Sequence, residues 1–177
     1  VAKRVLDLGD KPAIGMTEPK AGTALTDLTT RADRIPGGWR VNGKKHWITG
    51  GGVSISNVVF VRFFEDGKEL GIGGVLLDKG HPGFTIGKVE DACGLRGIPE
   101  SELIFTDCDI PDDRVVVMGE KFEGFKKLMD GYNAQRVGAS TVALGIAQGA
   151  HDLAIEWMGK RKCFGHPISD FQGLQWM

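Results

Sequence analysis

FEGFKKLMDGYNAQRVGASTVALGIAQGAHDLAIEWMGKR, residues 122–161, is the stretch on which the fold assignment turns. Its apolar residues, among them Phe122, Phe125, Met129, Tyr132, Val137, Leu144 and Trp157, recur at helical spacing, and no proline interrupts them. That pattern predicts one long helix with an apolar side. At about 1.5 Å per residue it would run roughly 60 Å, longer than a small domain is wide. Gly124, Gly131, Gly138 and Gly145 recur every seven residues, with Gly149 a turn further. Each costs about 1 kcal/mol relative to alanine in a helix interior. A stripe of them implies that another helix, a neighbouring subunit or a ligand approaches that face, helix packing being the simplest case.

The chain of 177 residues has room for one domain or one and a part. A net charge of −1 gives no electrostatic case for nucleic acid or an anionic membrane surface. Cys93, Cys108 and Cys163 are too scattered for a metal site or a disulfide framework, which points to a reducing compartment. No apolar run is long enough to span a membrane. The chain begins at Val1 without methionine and stops at Met177 within SDFQGLQWM, which reads as a helix barely started. The expectation is a piece of a larger protein.

Upstream of the helix the character is β. AIGMT is a short apolar run, LTTRADRI alternates, and WRVNGKKHWIT carries Asn42-Gly43 between two strand-like runs, a hairpin signal. NVVFVRFF ends at the turn-prone Glu65-Asp66-Gly67. LGIGGVLLDK, GFTIGKV, SELIFTDCDI and RVVVMG complete about eight strands. Turn-punctuated strands of this kind favour a barrel or sandwich. After Arg161 a loop, KCFGHP, leads to Ser169, which with Gln172 forms an S-x-x-Q capping box.

Few chemical motifs are present. His46, His81, His151 and His166 have no ligand spacing, so no zinc site is expected. No serine lies in a G-x-S-x-G elbow. Gly71-Ile72-Gly73-Gly74 lies in a strand pattern and reads as a bulge or close backbone approach rather than a phosphate loop. Two stretches are more pointed. TEPKAGT, residues 17–23, is a polar loop at a strand end that exposes backbone N–H groups and hydroxyls. HWITGGG, residues 46–52, sets Trp47 beside Thr49, where an indole can stack on a flat cofactor while a hydroxyl bonds its edge. Either stretch also reads as a hairpin rim with a core tryptophan. Arg136, mid-helix beside Gln135, suits bidentate pairing with a carboxylate or phosphate, or simple snorkelling past the apolar face.

TEPKAGT, NGKKHWITGGG, GFTIGKVEDACGLRGIPESELIFTDCDIPDDRVV and RKCFGHPISDFQGLQW, in this order and spacing, resemble the acyl-CoA dehydrogenases over nearly the whole chain. The resemblance implies an α+β architecture. Residues 1–117 would be the family's middle β-barrel domain. Residues 118–177 would be the first long helix and the start of the second helix of the C-terminal four-helix bundle. The N-terminal helical domain would be absent. FAD would lie between barrel and bundle, in a homo-tetramer or dimer. The implied activity is removal of an α-proton from an acyl-CoA with transfer of the β-hydride to the flavin, as in fatty acid metabolism. Electron-transfer flavoprotein is a possible acceptor, and the location would be cytoplasmic, or the mitochondrial matrix in a eukaryote.

By motif, Ile14, Met16, Thr17, Gly22 and Thr23 match the family's flavin-contacting loop, with Thr23 also close to the substrate's CoA. Trp47, Ile48 and Thr49 match the W-I-T signature beside the isoalloxazine. Tyr132, Asn133, Gln135 and Arg136 align with the helix turn that faces the acyl-CoA, together with Thr23. Arg161, Cys163, Phe164 and Gln172 resemble the segment reaching a partner subunit's FAD, a role that competes with capping for Gln172.

The chain departs from the family pattern at several points. Thr23 replaces serine, Lys20 a small residue, and Gly50-Gly51 follow W-I-T, while Cys163 is also unusual. The catalytic base, a glutamate in the family, is placed in some members just before the arginine matched by Arg136. Here Gln135 stands there and cannot accept a proton as a carboxylate does. The base is therefore expected beyond Met177. Alternatives on the same fold are an acyl-CoA oxidase, a flavin monooxygenase or a non-catalytic paralogue, and an isolated β-barrel binding module is a further one.

Overall fold

The computed structural model describes residues 2–117 and 123–177. It forms two compact units, Val1–Lys127 and Leu128–Met177. The expected border at 117/118 abuts residues 118–122, which lie outside the described residues, as does the expected helix start at Phe122.

The first unit opens with a short helix that the sequence reading does not anticipate, α1 (Ala2–Leu8). Eight strands follow, β1 (Ala13–Gly15), β2 (Arg31–Ile35), β3 (Gly38–Thr49), β4 (Ser56–Glu65), β5 (Lys68–Asp78), β6 (Phe84–Glu90), β7 (Glu100–Pro111) and β8 (Val115–Val117). They form one mixed sheet in the order β6-β7-β3-β2-β4-β5-β8. β1 and β2 both run parallel to β4, β1 along Asn57–Val59 and β2 along Arg62–Phe64. Inward residues at alternate positions meet in one core that includes Trp39, Val61, Phe63, Val75, Phe84 and Leu103. Phe84 on β6 and Val75 on β5 share that core from far parts of the strand order, so the sheet is curled. Among the described residues β6 and β8 do not pair, and the expected barrel is an open one. Trp39 meets Phe63 edge-on with ring centroids 4.7 Å apart, and its indole N–H donates to Asp112 at 3.0 Å, so the buried ring keeps its polar atom satisfied.

The turn after Phe64 is as expected, with Asp66 and Gly67 both at positive φ (51° and 76°), the backbone a two-residue hairpin needs. The Gly71 stretch also holds a bulge, since Phe63 pairs with Gly71 but Phe64 with Glu69. Asn42-Gly43 is a correction. No hairpin forms there, and β3 runs straight through from Gly38 to Thr49. The irregularity sits on the opposite strand, where Cys108 and Phe105 face Val41 and Gly43 and leave one extra residue on β7. Asn42 bonds the backbone N–H of Asp107 at 2.9 Å across that bulge. Gly43, at φ +143°, is needed for close approach, because a Cβ would lie 2.7 Å from Thr30 Cα.

In the second unit α2 (Glu123–Lys160) is a continuous helix, as expected. Val137, Leu144, Leu153 and Trp157 are 60–69% exposed, and a Cβ on Gly131, Gly138, Gly145 or Gly149 would meet nothing within 4 Å. KCFGHP is not a plain loop. It is a two-stranded hairpin, β9 (Lys162–Cys163) and β10 (His166–Pro167), turned at Phe164 and Gly165 with φ of 53° and 85°. The capping box is a second correction. The chain takes a 3₁₀ turn over Ile168–Asp170 before α3 (Gln172–Gln175), and Phe171 occupies the N-cap with no side-chain cap bond. Ser169 stands too early to cap, and its carbonyl instead accepts from the Gln175 amide at 2.9 Å.

Candidate functional site

The two motifs singled out from sequence meet at one rim of the sheet. β1 runs into the loop of residues 16–23, and the His46 amide donates to the Thr17 carbonyl at 2.9 Å. β3 is bulged at that point, because Lys45 and Ile48 face Leu103 and Ser101 and leave one residue in excess. The bulge puts Trp47 at φ +58° and leaves it 48% exposed, beside the stacked His46 ring at 5.3 Å. A bulge at a sheet rim re-aims a side chain that regular pleating would point elsewhere. Positive φ on a residue as bulky as tryptophan is strain of the kind that collects at functional sites.

Neighbours divide by exposure. Ile48 is buried in the core, so only its backbone reaches the rim, and Met16 is buried as well. Ile14, Gly22, Thr23 and Thr49 are exposed and Thr17 is partly exposed. The Thr49 hydroxyl donates to Glu100 at 2.9 Å, whereas the Thr17 hydroxyl has no partner among the described residues.

Beneath the rim lies a pair that the sequence reading misses. Lys45 is fully buried, and its ammonium donates to Glu18 Oε1 at 2.8 Å and to the Met16 carbonyl at 3.1 Å. Glu18 also accepts from the amides of Thr29 and Thr30 and from the Thr29 hydroxyl at 2.6–2.9 Å. Burial alone would raise the Glu18 carboxyl. The Lys45 charge and these hydrogen bonds outweigh it and bring the carboxyl down to about 2. Burial lowers the Lys45 ammonium to about 8 against the opposing pull of Glu18, so both groups are charged at neutral pH. A signal was available. Trp39, Val41, Gly43 and Lys45 alternate on the inward side of β3, and an inward lysine demands a buried partner.

This pair sets a pH dependence. Because the carboxyl pKa is depressed on folding, its stabilisation is fully present above about pH 4.5 and is lost as pH falls towards 2. Acid unfolding of the wild type and of Glu18→Gln is expected to converge through that window, with the wild type the more stable above it.

On the outer face a second network surrounds the bulge. His46 Nε2 lies 2.8 Å from Glu90, Lys88 reaches Glu90 at 2.5 Å, and Lys44 reaches Glu102 at 2.5 Å. Hydrogen bonds from Lys88 and His46 hold the Glu90 carboxyl below its usual range, and that of Lys44 does so for Glu102. The ligand atoms of His46, Glu90 and Glu102 lie within 4.8 Å of one another, a span a cation can bridge. With a lysine already on each carboxylate, the arrangement is a charge network that braces the bulge. Sequence spacing does not show it, because the β3 bulge, a second bulge on β6 between Ile86 and Val89, and three strands create it.

In the second unit, Tyr132, Asn133, Gln135 and Arg136 share about one turn of α2, with Tyr132 partly buried and the others exposed. Tyr132, Gln135 and Arg136 border a shallow concavity with Gly138. Arg161 closes the helix end, its carbonyl accepting from the Ile168 amide at 2.8 Å. Cys163 and Phe164 are exposed on the hairpin, and Gln172 is exposed at the start of α3.

Comparison with known proteins gives the class to which this fold belongs. Residues 13–108 match the acyl-CoA dehydrogenase middle domain, and residues 123–177 match the acyl-CoA dehydrogenase C-terminal domain. The chain belongs to the acyl-CoA dehydrogenase family, whose members are FAD-dependent oxidoreductases acting on acyl-CoA. It is 52% identical to the 3-sulfinopropanoyl-CoA desulfinase of Paraburkholderia xenovorans across its whole length, and covers 46% of that protein. It is 38% identical, over 93% of its length, to the short-chain-specific acyl-CoA dehydrogenase of Clostridium acetobutylicum, and covers 43% of that protein. Among solved structures it is similar to a glutaryl-CoA dehydrogenase from Mycobacterium smegmatis in complex with FADH2 (TM-score 0.84, 28% identity, 98% of this chain and 43% of that one). The chain thus spans about half the length of the relatives it matches. No helix among the described residues is long and apolar enough to cross a membrane.

The rim suits a flavin. Trp47 offers a half-exposed indole face, the Thr17 hydroxyl is without a partner among the described residues, and Gly22 has open space where a Cβ would stand.

Proposed function

We propose that the protein containing this chain is a FAD enzyme acting on a short acyl-CoA, with 3-sulfinopropanoyl-CoA as substrate and sulfite as a product. The observation that carries this reading is the 52% identity, over the entire chain, to a desulfinase. The chemistry agrees with the residue at the family's base position. Desulfination needs no net oxidant. The C–S bond breaks, carbon gains a proton, sulfur gains hydroxide from water, and propanoyl-CoA and sulfite leave. No α-proton is lost overall, so an amide at Gln135 is no handicap.

In this reading Trp47, Thr17, Thr49 and the backbone of Met16 and Ile48 form the flavin-contacting rim, with Ile14, Gly22 and Thr23 beside it. Tyr132, Asn133, Gln135 and Arg136 line the acyl-CoA. Arg161, Cys163, Phe164 and Gln172 serve the FAD of a second subunit. FAD, when bound, supplies the redox chemistry of the family and a flat surface against which the acyl chain is oriented. The chain's own part is to orient that chain and exclude water from it.

The second reading is α,β-dehydrogenation, favoured by the 38% identity to a short-chain acyl-CoA dehydrogenase. Anaerobic incubation of the full-length holoprotein separates the two. Sulfite release from 3-sulfinopropanoyl-CoA without lasting loss of the visible flavin band supports desulfination. Bleaching of that band by a straight-chain acyl-CoA supports dehydrogenation. A protein that does neither overturns both.

Trp47→Ala tests the rim directly. Loss of one stacked aromatic is worth about 1–1.5 kcal/mol, so FAD affinity is expected to fall roughly tenfold. Because Trp47 is half exposed, the melting temperature of the apoprotein is expected to stay nearly unchanged.

A further inference from the structure

The structure assigns Glu18 and Lys45 a further role, as positioning residues that fix the flavin-contacting loop against the Trp47 bulge. This rests on the flavin reading given above. A buried ion pair is not needed for stability, since an apolar pair of similar volume serves a core equally well. What distinguishes this one is where its bonds go. Lys45 binds the Met16 carbonyl and the Glu18 carboxylate, and the next residue, His46, donates to the Thr17 carbonyl. Three successive loop residues are therefore tied to two successive strand residues, and the following residue is Trp47. Glu18 carries the tie on to Thr29 and Thr30, at the entry to β2. Both carboxylate oxygens and the ammonium are bonded, so the loop has a single seating. The bonds consume the carbonyls of residues 16 and 17, and the Thr17 hydroxyl stays partly exposed at the rim.

The test uses full-length protein carrying Glu18→Gln, Lys45→Met, the double variant Glu18→Gln/Lys45→Met, and Glu18→Asp. Measurements are the FAD dissociation constant, the shape of the visible flavin band and the melting temperature of the apoprotein. The single variants are expected to melt lower. The double variant, with no unpaired buried charge, is expected to recover most of the melting temperature while binding FAD at least tenfold more weakly, with a shifted flavin band. Glu18→Asp, which keeps the charge on a shorter arm, should show the same loss of affinity to a smaller degree and serves if the double variant is insoluble. A recovered melting temperature with wild-type FAD affinity and an unshifted band would overturn the inference and leave the pair purely structural. Failure of the wild type itself to take up FAD would instead overturn the flavin reading on which the inference stands.

Discussion

Lys45→Met alone is expected to cost about 3–5 kcal/mol, because it leaves the Glu18 carboxylate buried without its counter-charge. The environment offers little relief. Glu18 is 4% exposed and Lys45 is fully buried. The carboxylate would retain the Thr29 and Thr30 bonds but lose the cation that makes its charged form tolerable. It would respond by taking up a proton, so the variant should be least impaired at low pH. Denaturant unfolding of the full-length protein at neutral and at acid pH checks both points. A loss under about 1 kcal/mol at neutral pH, within the range of exposed pairs, would show that water reaches the pair.

Gly83→Ala is expected to be as damaging, for a different reason. Gly83 has φ +78°, and a Cβ there would lie 2.5 Å from the Thr106 carbonyl oxygen and 2.8 Å from Cys108 Cα. Both atoms are backbone, so neither moves as a flexible side chain would. The Thr106 amide also donates to the Gly83 carbonyl at 2.9 Å, which locks the two segments together. The turn precedes Phe84, whose ring stacks on Phe105 at 5.3 Å in the core. Relief of the clash would require β6 to part from β7 and open that contact. Strain of about 1–3 kcal/mol from the backbone alone, plus the lost packing, sets an expected cost of 3 kcal/mol or more. A melting temperature within a degree or two of wild type would contradict this. Gly67→Ala, also at positive φ but with nothing within 4 Å, is the control, and should cost only about 1 kcal/mol.

Local chemistry made most strands and the long helix legible. Alternation placed β2, β-branched and aromatic composition between turn signals placed β4, β5 and β7, and helical spacing placed α2. The failures share a cause. Asn42-Gly43 has the composition of a hairpin turn, yet Asn42 pairs across to Asp107 and Thr30 packs on Gly43, partners that are distant in sequence. Ser169 and Gln172 have capping spacing, but a 3₁₀ turn delays the helix. The rim motifs were visible as motifs, whereas what joins them was not. The Thr17–His46 bond, the Glu18–Lys45 pair and the bulge that turns Trp47 outward all depend on register between strands, which period-2 patterning does not encode. The charge network of His46, Glu90 and Glu102 was hidden for the same reason.

In the proposed function the flavin ring lies on the rim made by the residue 16–23 loop and the bulged end of β3. An experimental structure of the full-length protein with FAD bound tests it most directly. The isoalloxazine is expected in contact with Trp47 and with the backbone around Thr17, while Lys45 remains bonded to Glu18. A flavin bound elsewhere, with Trp47 facing solvent or packed only on protein, would contradict it.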